Sequence, residues 1–159
     1  MLILIDLDGT LIYTVHPSWK PYKDGQENYN INNFLDKVPF FPGAKEFIAS
    51  RKLKGDRIVI VSDSHFRYVQ PISNMLGVEC LPLADKPNLQ KLKMFLKERQ
   101  DLIDIIKKGD YFFIGDTKLD IEIGRKIGAK TIYFLPYQIT DEIKNERDGI
   151  GDEMISRKM

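Results

Sequence analysis

Acidic residues in this chain stand where short apolar runs end. Asp6 and Asp8 follow Leu2-Ile3-Leu4-Ile5, and Asp116 and Asp120 follow Tyr111-Phe112-Phe113-Ile114-Gly115. Residues two apart on an extended strand share a face, so Asp6 and Asp8 can point together, although Gly9 directly after them also allows the pair to flank a turn. Four carboxylates brought to one place repel and raise one another's pKa values. A divalent cation relieves that conflict. Oxygen-only ligation with room for water and phosphate suits Mg²⁺ rather than zinc. Two further side chains complete the set: Ser62, after the apolar run 57–61, offers a hydroxyl, and Lys86, in Asp85-Lys86-Pro87-Asn88, a compact positive charge. Both suit phosphate oxygens. These residue types together describe phosphoryl chemistry.

Plainer roles compete for the same positions. Asp116, Asp120 and Ser62 could cap helices, and Lys86 could be an ordinary surface lysine. Ser64 could share the role of Ser62 or replace it, and Asp63, which could add a polar contact, is expected to face solvent or cap. His16, His65 and Cys80 are read as structural or incidental.

Elements that could bring these residues together are legible from the glycines. Gly55, Gly77, Gly109 and Gly128 each follow a helix-like stretch, where a left-handed residue closes a helix. Short β-rich runs come next, over 57–61, 78–81 (the weakest), 111–114 and 131–134, with 2–5 opening the chain. Near-continuous apolar strands predict burial on both faces, as in a parallel sheet. Between them, Leu89, Leu92, Phe95 and Leu96 fall on one helical face, with Lys91, Lys93, Lys97 and Glu98 elsewhere. The expected fold is α/β: an open, doubly wound, Rossmann-like parallel sheet of about five strands with helices on both faces. Ligands bind such sheets beyond the carboxyl ends of the strands, which is where the candidate residues fall. Two stretches stand outside the rhythm: 11–41, rich in Pro, Asn and aromatics, and the tail from 140, where a short charged helix is predicted around 141–147.

Length and composition narrow the class. The 159 residues predict one domain spanning 1–159, with 11–41 as a small aromatic-rich insertion. An apolar content of 43% is enough for a sizeable core. The 24 basic and 23 acidic residues leave a formal charge of +1, so bulk electrostatic binding to nucleic acid is not expected. No run approaches the roughly 20 apolar residues of a membrane helix, and Met1 to Ile5 is not expected to be a secretory signal. The single cysteine, Cys80, excludes an internal disulfide and points to a reducing, cytoplasmic setting.

In order along the chain, Asp6-x-Asp8-Gly9-Thr10, Ser62 after an apolar strand, Lys86 and Gly115-Asp116-x-x-x-Asp120 resemble the four motifs of the haloacid dehalogenase (HAD) superfamily, in its phosphatase branch. The match spans residues 2 to about 134. The resemblance implies that Asp6 attacks phosphorus and becomes an aspartyl-phosphate, while Asp8 protonates the leaving oxygen and then activates water. It implies Mg²⁺ held by Asp6, the main-chain carbonyl of Asp8, and Asp116, with Asp120 as a ligand or just behind one. Ser62 and Lys86 would hold the phosphoryl group, with Gly9 and Thr10 also at the substrate. Only 24 positions separate Ser62 from Lys86, and about thirty residues lie between Thr10 and Pro42-Gly43. This implies a capless or minimally capped enzyme with an open site, unless a loop or a second copy in a homo-oligomer covers it. The insertion's Tyr13, His16, Trp19, Lys20, Tyr22, Lys23 and Tyr29 either stack on substrate or, the favoured reading, pack the insertion onto the body. The expected partner is a phosphorylated small molecule or macromolecular end, and no membrane. Two other activities fit the same residues: a non-catalytic or regulatory phosphate- and Mg²⁺-binding domain, and a phosphotransferase whose acceptor is not water.

Overall fold

A computed structural model describes residues 1–14, 19–135 and 153–156, the last four and residue 135 by backbone only. The five expected strands are present: β1 (Leu2–Ile5), β2 (Arg57–Val61), β3 (Glu79–Leu81), β4 (Tyr111–Gly115) and β5 (Lys130–Leu135). A sixth, β6 (Glu153–Ser156), joins them beside β5, giving the order β3-β2-β1-β4-β5-β6 with every pairing parallel. The helix predicted around 141–147 lies outside the described residues.

Alternation along β1 shows why its run is wholly apolar. Ile3 and Ile5 enter a core with Ile48, Tyr68, Val69 and Ile72, from α2 (Ala44–Leu53) and α3 (Phe66–Leu76). Leu2 and Leu4 enter a second core on the opposite face, with Leu92, Leu96, Leu102 and Ile123. These come from α4 (Gln90–Lys97), α5 (Gln100–Lys107) and α6 (Lys118–Lys126). A strand buried on both faces has no polar side to offer. The predicted face of α4 is the one that packs, through Leu92 and Leu96. The four helix-closing glycines all take left-handed backbone, with φ from 67° to 82°.

The insertion packs onto the body, as favoured. Its short helix α1 (Lys20–Lys23) is flanked by Trp19, whose ring lies 5.1 Å from Tyr22 and 6.4 Å from Tyr68 of α3. Tyr22 in turn meets Tyr29 and Phe34, each at 5.1 Å and edge-on. Tyr13 packs edge-on against Phe41 but stays 46% exposed. His16 lies outside the described residues. Since all strands run parallel, the loops after β1, β2, β3 and β4 emerge at one edge of the sheet. That edge carries the site.

Candidate active site

Main-chain bonds set the first acidic residue in place. Asp6 N–H donates to Ile114 O at 2.9 Å, which continues the pairing of β1 with β4 past the end of the strand. The chain then turns sharply: Leu11 and Ile12 N–H both donate to Leu7 O, at 2.8 and 3.1 Å. Gly9 sits in this turn at φ 79°, and a Cβ there would collide with the Asp116 carboxylate. Glycine is therefore required twice, for its backbone angle and for the close approach of Asp116. Thr10, 4% exposed, directs its hydroxyl at Asp116 Oδ1 (3.2 Å) and Asp6 Oδ2 (3.4 Å). Gly9 and Thr10 thus stand behind the carboxylates rather than along the cleft wall.

From the other side come Asp116 and Asp120, carried by the turn from β4 into α6. Thr117 caps α6, and Asp120 closes a reciprocal capping box: its Oδ2 accepts from Thr117 N–H at 3.1 Å and from the Thr117 hydroxyl at 2.9 Å. The helix-capping reading of Asp120 holds for one oxygen and leaves the other to a different partner. Its Oδ1 accepts from Lys86 Nζ at 2.6 Å, and the same ammonium lies 2.8 Å from Asp6 Oδ1. Lys86 is no surface lysine, with a side chain only 5% exposed.

Two loops hold that lysine. Leu83 and Ala84 N–H donate to Ser64 O and Ser62 O, at 3.0 and 2.9 Å, and Lys86 N–H donates to Asp63 Oδ1 at 2.8 Å. Asp63 is exposed to solvent as expected, and it also tethers the main chain of Lys86. Ser62, 1% exposed, is fixed by its N–H to Leu81 O at 3.0 Å, and its hydroxyl oxygen accepts from Ser64 N–H at 3.1 Å.

Asp6, Asp116 and Asp120 each offer a carboxylate oxygen within 4.8 Å of the others, a group that could hold a metal ion. The expected convergence of four carboxylates is corrected to three. Asp8 turns its side chain away, because two hydroxyls claim it: Ser64 Oγ donates to Oδ2 at 2.8 Å and Tyr68 Oη to Oδ1 at 2.7 Å.

Electrostatics follow from the packing. Burial, then the neighbouring Asp120 charge, pushes the Asp6 carboxyl well above its ordinary range, against the opposing pull of Lys86. Burial pushes Lys86 down, but Asp6 and Asp120 together overcome it and hold the ammonium above its ordinary range. Burial and the Asp8 charge raise Tyr68, which stays a proton-bearing donor. Three carboxylates gathered here, with the proton affinity of Asp6 raised, are suited to a small, hard divalent cation.

The cleft in front of these groups has a volume of about 480 Å³. Asp6, Asp8, Ser62, Ser64 and Lys86 line it, and the insertion reaches its rim through Lys23 and Asp24. Every sequence-predicted site residue thus lies at this sheet edge. Tyr68 and Thr117 were not singled out for a part in the site, and Trp19 was weighed for stacking on substrate or packing the insertion, not for a contact with Tyr68. Tyr68 carries the one signal that could have found it, a hydroxyl on the otherwise apolar face of Val69 and Ile72.

Comparison by sequence finds no matching family model and no matching curated protein. Solved structures do match. A predicted phosphoglycolate phosphatase from Haemophilus somnus 129PT superposes with a TM-score of 0.68 at 17% identity, covering 96% of this chain and 92% of its own. CbbY from Rhodobacter sphaeroides in complex with phosphate gives 0.65 at 16% identity, with 97% and 92% coverage. A HAD-superfamily hydrolase from Ehrlichia chaffeensis gives 0.61 at 17% identity, with 94% and 95% coverage. The chain therefore has the fold of the haloacid dehalogenase superfamily, the one its four motifs resemble.

Proposed function

We propose that this protein is a Mg²⁺-dependent phosphomonoesterase working through an aspartyl-phosphate. The observation that supports this most is the grouping of a buried nucleophile candidate, Asp6, with two more carboxylates and a buried ammonium, Asp6 and the ammonium both lining one cleft. A structural ion pair needs neither the third carboxylate nor the open cleft.

In this reading an Asp6 oxygen attacks phosphorus in line, the bond to the leaving oxygen breaks, and Asp8 gives that oxygen its proton. Asp8 then takes a proton from the water that cleaves the acyl phosphate. Lys86 stabilises charge on the transferring group and on Asp6. Ser62 accepts from Ser64 N–H, so its own hydrogen is available to a phosphoryl oxygen. Asp6, Asp116 and Asp120, with the main-chain carbonyl of Asp8, would hold the Mg²⁺, which supplies neutralisation of phosphoryl charge. The open cleft admits a small phosphorylated molecule or the end of a larger one.

The test is turnover of a broad phosphomonoester panel by purified protein with Mg²⁺, with chelator as the control. Release of inorganic phosphate that stops on chelation is expected. A folded, Mg²⁺-binding protein inactive on every member would overturn the proposal in favour of a binding domain. Added alcohols or nucleosides that divert the phosphoryl group from water would make it a phosphotransferase.

A further inference from the structure

We infer that Tyr68 is a positioning residue for the proton donor Asp8, and that the insertion acts through Trp19 as a brace for that donor. This rests on the phosphatase reading above.

The argument is one of donors and acceptors. Trp19 Nε1 lies 3.1 Å from Tyr68 Oη, and an indole N–H can only donate. The Tyr68 oxygen therefore accepts from Trp19, and its single hydrogen is directed to the other neighbour, Asp8 Oδ1 at 2.7 Å. Ser64 holds the second Asp8 oxygen at 2.8 Å. Both oxygens are thus held by donors from the β2–α3 side of the cleft, and the carboxyl is kept out of the carboxylate trio, where it would meet like charge. Tyr68 itself is fully buried, and its ring is packed among Ile5, Val69 and Ile72. Phenylalanine would fill the same space, so packing alone does not account for the hydroxyl. Proton transfer depends steeply on placement, with displacements of about 1 Å costing on the order of 100-fold.

The experiment compares wild type, Tyr68→Phe and Trp19→Phe, with Mg²⁺, on p-nitrophenyl phosphate and on ethyl phosphate. The phenolate leaves without help and the alkoxide needs an acid, so kcat/KM separates loss of proton donation from general damage. For Tyr68→Phe, a fall of about 10- to 100-fold on ethyl phosphate is expected, against less than about 3-fold on the aryl ester. Trp19→Phe should show the same pattern, smaller. Equal falls on both esters, or no fall on either, overturn the inference while leaving the phosphatase reading intact. A wild type without turnover overturns that reading, and this inference with it. Should circular dichroism show Tyr68→Phe unfolded, Trp19→Phe, at a half-buried surface indole, decides by the same criterion.

Discussion

Asp120 and Lys86 stand 34 positions apart in the chain and meet at 2.6 Å, with the carboxylate wholly buried and its other oxygen committed to the cap of α6. A helix start and a buried ammonium are therefore held by one side chain. Disturbing either end should be felt at the other.

Thr117→Ala removes the hydroxyl that both donates to Asp120 Oδ2 and accepts from Asp120 N–H. Loss of such a cap costs about 1 kcal/mol, measurable by urea denaturation. Apparent Mg²⁺ affinity by calorimetry should weaken as well, since Asp120 then loses one of the contacts that orient it.

Lys86→Met should be costlier. Removing one partner from a buried ion pair leaves uncompensated charge, a loss of about 3–5 kcal/mol. Chemical denaturation without metal checks this, and hydrolysis should fall together with stability. A variant as stable as wild type would show that Lys86 does not balance the trio.

The raised proton affinity of Asp6 sets the pH response of the metal-free fold. The folded state holds this proton above the ordinary value near 3.8, where the unfolded chain has released it. The stabilisation is fully present below that value and is lost as pH rises through the folded pKa. The unfolding temperature in chelator should therefore decline over that window. Mg²⁺ favours the ionised form and should flatten or reverse the slope, and Asp6→Asn should remove this contribution.

Asp6→Asn should also lower hydrolysis by roughly 10³-fold or more, with the fold retained. Single-turnover phosphate release and circular dichroism together check it. Substantial residual turnover would relocate the nucleophile.

Gly9→Ala combines a left-handed backbone penalty of about 1–2 kcal/mol with a clash on Asp116. Expected are a lower unfolding midpoint and a loss of Mg²⁺ binding disproportionate to it, since the displaced group is one of the trio.

Much of this arrangement was legible because its residues follow strands. Leu2 to Ile5 is apolar throughout because both faces are covered, and a parallel sheet sends Asp6, Ser62 and Asp116 to one edge whatever the helices do between. Tyr68 offered only the faint signal of its hydroxyl, since its spacing with Val69 and Ile72 is that of an ordinary core face and the hydroxyl's partner lies 60 positions away. Asp63 is the solvated loop acid it resembles, but its tether to Lys86 was hidden, since the contact is to a main-chain N–H that no residue type advertises. The sixth strand carries only Met154-Ile155 as an apolar pair and stands at the end of the sheet order among the described residues. Two apolar residues are too short a run to stand out, so the pattern that reveals β1 is missing.

The chain contains a single tryptophan, and it is the residue whose indole N–H meets Tyr68. Its emission is therefore an unmixed optical gauge of the seam between the insertion and α3, readable in real time without any label. Rapid mixing with Mg²⁺ or a phosphate mimic would show whether that seam opens and closes with each turnover or stays shut throughout.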